Sequence, residues 1–206
     1  MANSDGFLHN AYRVTDPDKA RDFYDDWAST YDAEVEKNGY ITPKRCAEAL
    51  AQLAPDLGAP LLDMGCGTGL SGAALKTAGF TNIHGSDLSP EMLKLAEARG
   101  IYDKLWLADL ETPFPFTPGT FAMISAMGVL VIGHAPPSTI DDVLGVLAPG
   151  GLFVFSLNDH TLEEPEYESR LVENIDTGNA RLVYKDYGDH LPGISMNSIV
   201  YILEKT

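Results

Sequence analysis

The sequence predicts an α/β fold: a mostly parallel seven-stranded sheet with helices on both faces and a C-terminal antiparallel hairpin. Three observations predict it. Short apolar runs bounded by turn residues alternate with helix-period segments from residue 60 to residue 157. A glycine-spaced loop, Gly65-Cys66-Gly67-Thr68-Gly69, directly follows the first of those runs. Beyond residue 175 the rhythm changes to two alternating runs, 180–187 and 196–204, which read as a hairpin. Helical crossovers make neighbouring strands parallel and cover both faces of the sheet, whereas a hairpin adds antiparallel strands at an edge.

Taken in order, residues 1–16 show no periodicity and read as a loose arm. A helix is expected from 17 to about 37. Asp16 can cap it, Pro17 suits its first position, and Phe23, Trp27 and Tyr31 recur at every fourth place. Thr42-Pro43 opens a second helix to about 53, with Ala47, Leu50 and Ala51 as its stripe. A linker covers 55–60. Strands are then expected at 60–64, 82–86, 104–108, 121–127 and 152–157. Helices are expected at 69–79, from Ser89-Pro90 to Gly100, and at 138–147, the last stopped by Pro149-Gly150-Gly151. A further helix near 166–175 precedes the hairpin, whose connection is placed in the turn-rich stretch 188–193.

At 206 residues and 45% hydrophobic, the chain suits one domain, with 1–55 leading into a core of 60–206. No apolar run approaches membrane-spanning length, and the first residues lack a basic and then apolar leader, so a cytoplasmic protein with no membrane association is expected. Two cysteines, Cys46 and Cys66, make no disulfide framework and no metal spacing; no metal is expected. A net charge of −16 repels phosphate backbones, and no Lys/Arg cluster offsets it. Nucleic acid is therefore not expected as a partner, and a small molecule is. The acidity serves solubility and could favour a cationic substrate. Oligomeric state is not legible.

The chemistry is concentrated at strand ends. Glycines at alternate positions let the backbone pass close under a ligand and turn sharply into a helix. A dinucleotide loop would space its glycines G-x-G-x-x-G; here the third comes one residue early. Asp63 sits badly beside a pyrophosphate but well beside the ammonium of a methionine moiety. Asp87 ends the second strand 18 residues after Gly69, where a carboxylate can accept both ribose hydroxyls. Leu88 follows it, and Met92 would lie against an adenine. Ala108-Asp109-Leu110 ends the third strand, with Asp109 suited to an adenine amino group. Ser125-Ala126-Met127 ends the fourth, where small residues leave room for a sulfonium and its methyl group.

With Leu147-Ala148-Pro149-Gly150-Gly151-Leu152, these segments resemble the class I S-adenosylmethionine-dependent methyltransferases over nearly the whole chain. More narrowly, Tyr24-Asp25-Asp26-Trp27-Ala28-Ser29-Thr30-Tyr31-Asp32, Gly39-Tyr40-Ile41-Thr42-Pro43 and Ser89-Pro90-Glu91-Met92-Leu93 are similar to the Williams–Beuren syndrome critical region 27 group. The resemblance implies a Rossmann-like fold and S-adenosylmethionine as cofactor, held by Asp63, Gly65, Cys66, Gly67, Gly69, Asp87, Leu88, Met92, Ala108, Asp109, Leu110, Ala126 and Met127. It also implies that Tyr24, Trp27 and Tyr31 belong to a lid helix with ring faces near the sulfonium; read without the family, those rings serve equally as a core stripe. No Asn/Asp-Pro-Pro-Tyr/Phe follows the fourth strand, which argues against amide-like nitrogen methylation of nucleic acid. If the acceptor needs a base, His134 and His160, beyond the ends of strands four and five, are best placed, and His190 less so. A binding protein without transferase activity and a nicotinamide-dependent oxidoreductase are the competing readings.

Overall fold

The structure, a computed structural model, describes residues 7–8, 17–109 and 114–206. Among them, seven strands form one sheet: β1 (Leu61–Met64), β2 (Ile83–Asp87), β3 (Lys104–Leu107), β4 (Met123–Ala126), β5 (Leu152–Asn158), β6 (Ala180–Leu191) and β7 (Met196–Lys205). Their order is β3-β2-β1-β4-β5-β7-β6; all pair in parallel except β7, which runs antiparallel to both β5 and β6. The chain reverses its direction of travel across the sheet between β1 and β4. In open α/β sheets a crevice for ligands opens there, outside the carboxyl ends of the strands.

The helices are α1 (Pro17–Lys37), α2 (Thr42–Leu53), α3 (Leu70–Thr77), α4 (Pro90–Ala98), α5 (Thr139–Val146), α6 (Asp159–Leu162) and α7 (Pro165–Asp176). Local chemistry sets their ends. Pro43 starts α2, the Ser89 hydroxyl accepts the Met92 amide at 3.0 Å to cap α4, and Gly100 adopts φ +62° after α4. On one sheet face, α5 and α7 bury Leu62, Ile124, Phe153, Phe155 and Tyr201; on the other, α2 and α3 bury Leu61, Ile83, Met123, Val154 and Ile202. Each such aliphatic or aromatic side chain taken from water contributes about 1.5–3 kcal/mol. No described helix is long and apolar enough to cross a membrane.

The expected elements are present, with edges moved by one or two residues and two real differences. The stretch 188–193 is not the hairpin turn: β6 runs on through Gly188, Asp189 and His190 to Leu191, and the reversal falls at Pro192–Ile194, completed by Ser195 at φ +56°. Residue 188 is a glycine within the strand, paired with Ser198, because a guanidinium crowds the place of a side chain. A Cβ there would sit 3.1 Å from Arg45 Nη2, and Arg45 bonds the Asp186 and Asp189 carbonyls on either side. The second difference is α6, nucleated by the Asn158 side chain, which accepts the Thr161 amide at 3.0 Å. Of the expected arm and the Asp16 cap, only Phe7 and Leu8 fall within the described residues. Both are helical, and Phe7 stacks on Trp27 at 6.1 Å between ring centres.

Candidate functional site

The crevice holds two adjoining cavities. The larger, of about 390 Å³, is floored by the glycine loop and walled by the ends of β2 and β4, the Ala108–Asp109 segment and α1. That is within the range of roughly 300–1,000 Å³ usual for small-molecule sites. Gly67, at φ +52°, presents open space where a Cβ would point. Gly65, at φ +65°, could not carry one, since it would meet Val129 Cγ2 at 2.5 Å. One glycine thus keeps the floor open and the other lets the loop pack against the chain after β4.

Asp87, half-buried at the end of β2, lines this cavity and organises its floor. Its Oδ2 accepts the Gly67 amide at 2.8 Å, and its Oδ1 the Ser89 amide at 2.9 Å. Burial pushes its carboxyl above the ordinary range, opposed by the amides of Ser89, Gly67 and Leu88. Leu88, Met92, Ala108, Asp109, Met127, Tyr24, Tyr31, Gly65 and Gly67 also line the larger cavity. These expected residues come together.

Others do not. Asp63 is fully buried and faces neither cavity; its carboxylate accepts the hydroxyls of Ser71 at 2.6 Å, Tyr102 at 2.8 Å and Ser125 at 2.8 Å. Side chains alternate along β1, so Met64 reaches the cavity while Asp63 points under α3. Burial raises the Asp63 carboxyl to about 6 despite those three donors. Cys66 packs its sulfur against Gly85, where a Cβ would lie 3.0 Å from Sγ, and burial pushes the thiol up. Gly69 serves the turn. It opens α3 at φ +91°, with Arg99 Cδ 2.8 Å from where its Cβ would be. Ala126 is fully buried in the core and lines neither cavity. Leu110 lies outside the described residues. His160 is carried by α6 to an exposed position away from both cavities.

The smaller cavity, of about 50 Å³, lies beyond the larger one under α1. Tyr24, Trp27, Tyr31 and Tyr40 wall it, with His134 and His190 at its edges; Tyr24, Tyr31, Gly128 and His134 line both cavities. His134 stands at the junction. Its Nδ1 is 3.2 Å from the Ile132 carbonyl, so that nitrogen carries the proton and Nε2 is left as a buried acceptor with no partner among the described residues. Desolvation lowers its pKa, which keeps the ring neutral. Tyr40 reaches the cavity only because residue 128 is glycine; a Cβ there would meet the Tyr40 hydroxyl at 2.5 Å.

Three ties hold α1 over the site, none of them evident in the sequence. Asp32 accepts the Thr68 hydroxyl of the glycine loop and pairs with Arg99, while Asp25 accepts the Ser89 hydroxyl. Arg99 also donates to the Thr68 carbonyl at 2.6 Å. The signal available was weak: acids spaced seven apart on one helix face, 25 and 32, beside the aromatic stripe.

The open glycine floor, the carboxylate bound to its amides and the half-buried rings of α1 enclose a cleft of small-molecule size. Residues 62–155 match the methyltransferase domain family. The human methyltransferase-like protein 27 is 36% identical over 169 residues, covering 81% of this chain and 68% of the relative. The ubiquinone biosynthesis O-methyltransferase of Xylella fastidiosa is 29% identical, covering 71% and 61%. The 18S rRNA (guanine(1575)-N(7))-methyltransferase of Saccharomyces cerevisiae is 33% identical, covering 50% and 43%. Among solved structures, a chain of the Haloferax volcanii complex of the Trm112 methyltransferase activator with a methyltransferase superposes with a TM-score of 0.69 at 21% identity, over 90% of this chain and 96% of that one. The magnesium protoporphyrin IX methyltransferase of Synechocystis with bound S-adenosylhomocysteine (SAH) gives 0.67 at 14%, over 92% and 99%.

Proposed function

The chain belongs to the class I S-adenosylmethionine-dependent methyltransferases, with methyltransferase-like protein 27 among its relatives, and we propose that it methylates a small molecule held under α1. The observation that carries this reading is the bare, buried Nε2 of His134 at the junction of the two cavities. One relative is named for a small-molecule acceptor and another for ribosomal RNA. The net charge of −16 favours the former, because a phosphate backbone would have to approach a surface of its own sign.

In this reading the larger cavity takes the cofactor, which supplies a methyl group already activated for in-line transfer. Asp87 accepts from the ribose while holding the Gly67 amide, Met92 and Leu88 pack on the adenine, and Asp109 with the Ala108 segment reads its edge. The rings of Tyr24 and Tyr31 close the top and exclude water. His134 receives the proton that an acceptor hydroxyl or ammonium must lose. The chain's contribution is otherwise alignment, which can supply several kcal/mol of the barrier. We assign the whole chain to one domain, with α1 and α2 as its lid.

The test is SAH release from S-adenosylmethionine across phenols, amines, thiols and an RNA hairpin. Small molecules should support turnover, and the RNA should not. His134→Asn should lower kcat by roughly a hundredfold or more while leaving SAH affinity within about twofold. Turnover on RNA alone, or an unchanged kcat in His134→Asn, would refute this reading.

A further inference from the structure

The sheet has two edges, β3 and β6, and they differ in what they offer another chain. β3 has four residues, whereas β6 has twelve and contains no proline. Natural edges are usually short, interrupted or covered, because their unpaired N–H and C=O groups invite a further strand. Register shifts fall between Leu182 and Tyr184 and between Asp189 and Leu191, so the regular part of β6 is 184–189. Just beyond it the His190 carbonyl is taken by the Ile41 amide at 3.1 Å.

The ladder decides which groups of that stretch face outward. The Lys205 amide donates to the Gly151 carbonyl at 2.9 Å and its carbonyl accepts the Gly150 amide at 2.7 Å, so Lys205 directs its backbone towards β5. Backbone direction alternates along a strand, which turns Ser198 and Val200 towards β6. Gly188 and Asp186, opposite them, therefore face β7, and Lys185 and Tyr187 direct their amides and carbonyls away from the sheet, as does the Asp189 amide. Lys185 and Tyr187 lie on the face of α6 and α7, where they reach Glu168 at 3.3 Å and Asp159 at 3.0 Å; Asp189 shares that face and is exposed. On the other face Arg45 crosses Gly188 and pairs with Asp186 at 2.9 Å.

We propose that β6 is the interface of a homodimer, in which a second copy pairs antiparallel about a two-fold axis normal to the sheet at Tyr187 and joins the two sheets into one. The charges are self-complementary about that axis. Residues 185 and 189 are equidistant from 187, so Lys185 of each copy stands opposite Asp189 of the other on the α7 face. On the opposite face Asp186 of each copy meets Gly188 of the other, over which the Arg45 guanidinium lies. Tyr187, 58% exposed, faces its own counterpart, and the outward amide and carbonyl of the two exchange two hydrogen bonds. A centre at 185 or 186 would set like charges against each other, and one at 184 or 188 would run the pairing into a register shift. Two chains of net charge −16 repel at long range, but at about 0.15 M salt that repulsion is screened beyond about 8 Å, and the edge pairs are closer than that.

The test is sedimentation equilibrium at about 0.15 M salt and about 1–200 μM protein, read against the chain mass of 22.3 kDa. The wild type should approach twice that mass at the top of the range, and hydrogen exchange at Lys185 and Tyr187 should slow as concentration rises. Lys185→Asp sets acid against acid and Asp189→Lys base against base, so each alone should raise the dimer Kd by roughly thirtyfold or more. Mixed in equal amounts, the two variants restore both opposite-charge pairs, and the mixture should dimerise within about fivefold of the wild-type Kd. Neither residue lines a cavity, so SAH affinity and melting in each variant check that it is folded. A wild type that stays monomeric throughout leaves the edge to a strand of some other protein and overturns the proposal. A dimer indifferent to both variants, or a mixture no tighter than either variant alone, overturns it as well.

Discussion

Replacing Asp63 by Asn tests which of two opposed effects wins inside the sheet. Three hydroxyls donate to the Asp63 carboxylate, each stabilising the charge; full burial opposes them. Burial wins, and the carboxyl is raised from the ordinary 3.8 to about 6. A carboxyl raised in the folded state binds its proton more tightly there than in the unfolded chain. Stability is then highest below the unfolded value and falls as pH rises towards 6. At 1.36 kcal/mol per pH unit the full effect is about 3 kcal/mol, and integrating between pH 5 and pH 7 leaves about 1 kcal/mol. Those two pH values stay above the pI near 4.5, where association would interfere. Asn cannot titrate, so subtracting its stability change from the wild type's removes the contribution of every other acid. Urea unfolding at both values should show the wild type losing about 1 kcal/mol relative to Asp63→Asn on going to pH 7. A difference near zero, or of opposite sign, would mean that the three hydroxyls outweigh burial and that the argument is wrong.

Other substitutions separate the site from its scaffold. Gly67→Ala puts a methyl into open cavity space at φ +52°, so it should weaken SAH binding by at least roughly tenfold at a stability cost of only about 1 kcal/mol, read by calorimetry and melting. Gly65→Ala drives its methyl into Val129, and its larger effect should be on the melt. Asp87→Ala frees the Gly67 and Ser89 amides as well as the ribose hydroxyls, and should cost roughly a hundredfold or more in SAH affinity, with no gain of NADH binding. Arg99→Ala cuts the tie from the glycine loop to α1; hydrogen exchange should quicken in residues 17–37 while the sheet amides stay protected.

The alternation of strands and helices is legible because most strands are apolar runs and several helices begin at a proline or a capping hydroxyl. Pro17, Pro43, Ser89 and Pro90 mark helix starts within a residue of where they fall. The hairpin turn is less legible. Gly188 looks like a turn residue, yet it is glycine because Arg45, 143 positions earlier, crosses the strand there. Such a contact joins distant parts of the chain and leaves no local pattern. The same holds for Asp32, Thr68 and Arg99, which meet only in the folded molecule. His134 could be nominated from its place after β4, but its role depends on which nitrogen holds the proton. The Ile132 carbonyl decides that.

Asp63 and Asp87 show how strand register separates two acids that the sequence alone presents alike. Both end neighbouring parallel strands and look alike in the sequence. Register separates them: Asp63 pairs with Gly85 and Met64 with Ser86, so β2 carries Asp87 one step beyond the pair that ends β1. Alternation then sends Asp63 to the side of Leu61, under α3, while Met64 faces the crevice. Asp87, at the rim, turns back onto the loop amides and remains half-exposed to a ligand. Along the four residues of β1, Leu61 and Asp63 share one face, so Asp63 lies beneath the loop and outside the larger cavity. The carboxylate that lines the larger cavity is the one at the tip of the longer strand. Asp63 instead ties α3, β4 and Tyr102 together beneath the loop, which is why its replacement should register in stability and its titration before it registers in binding.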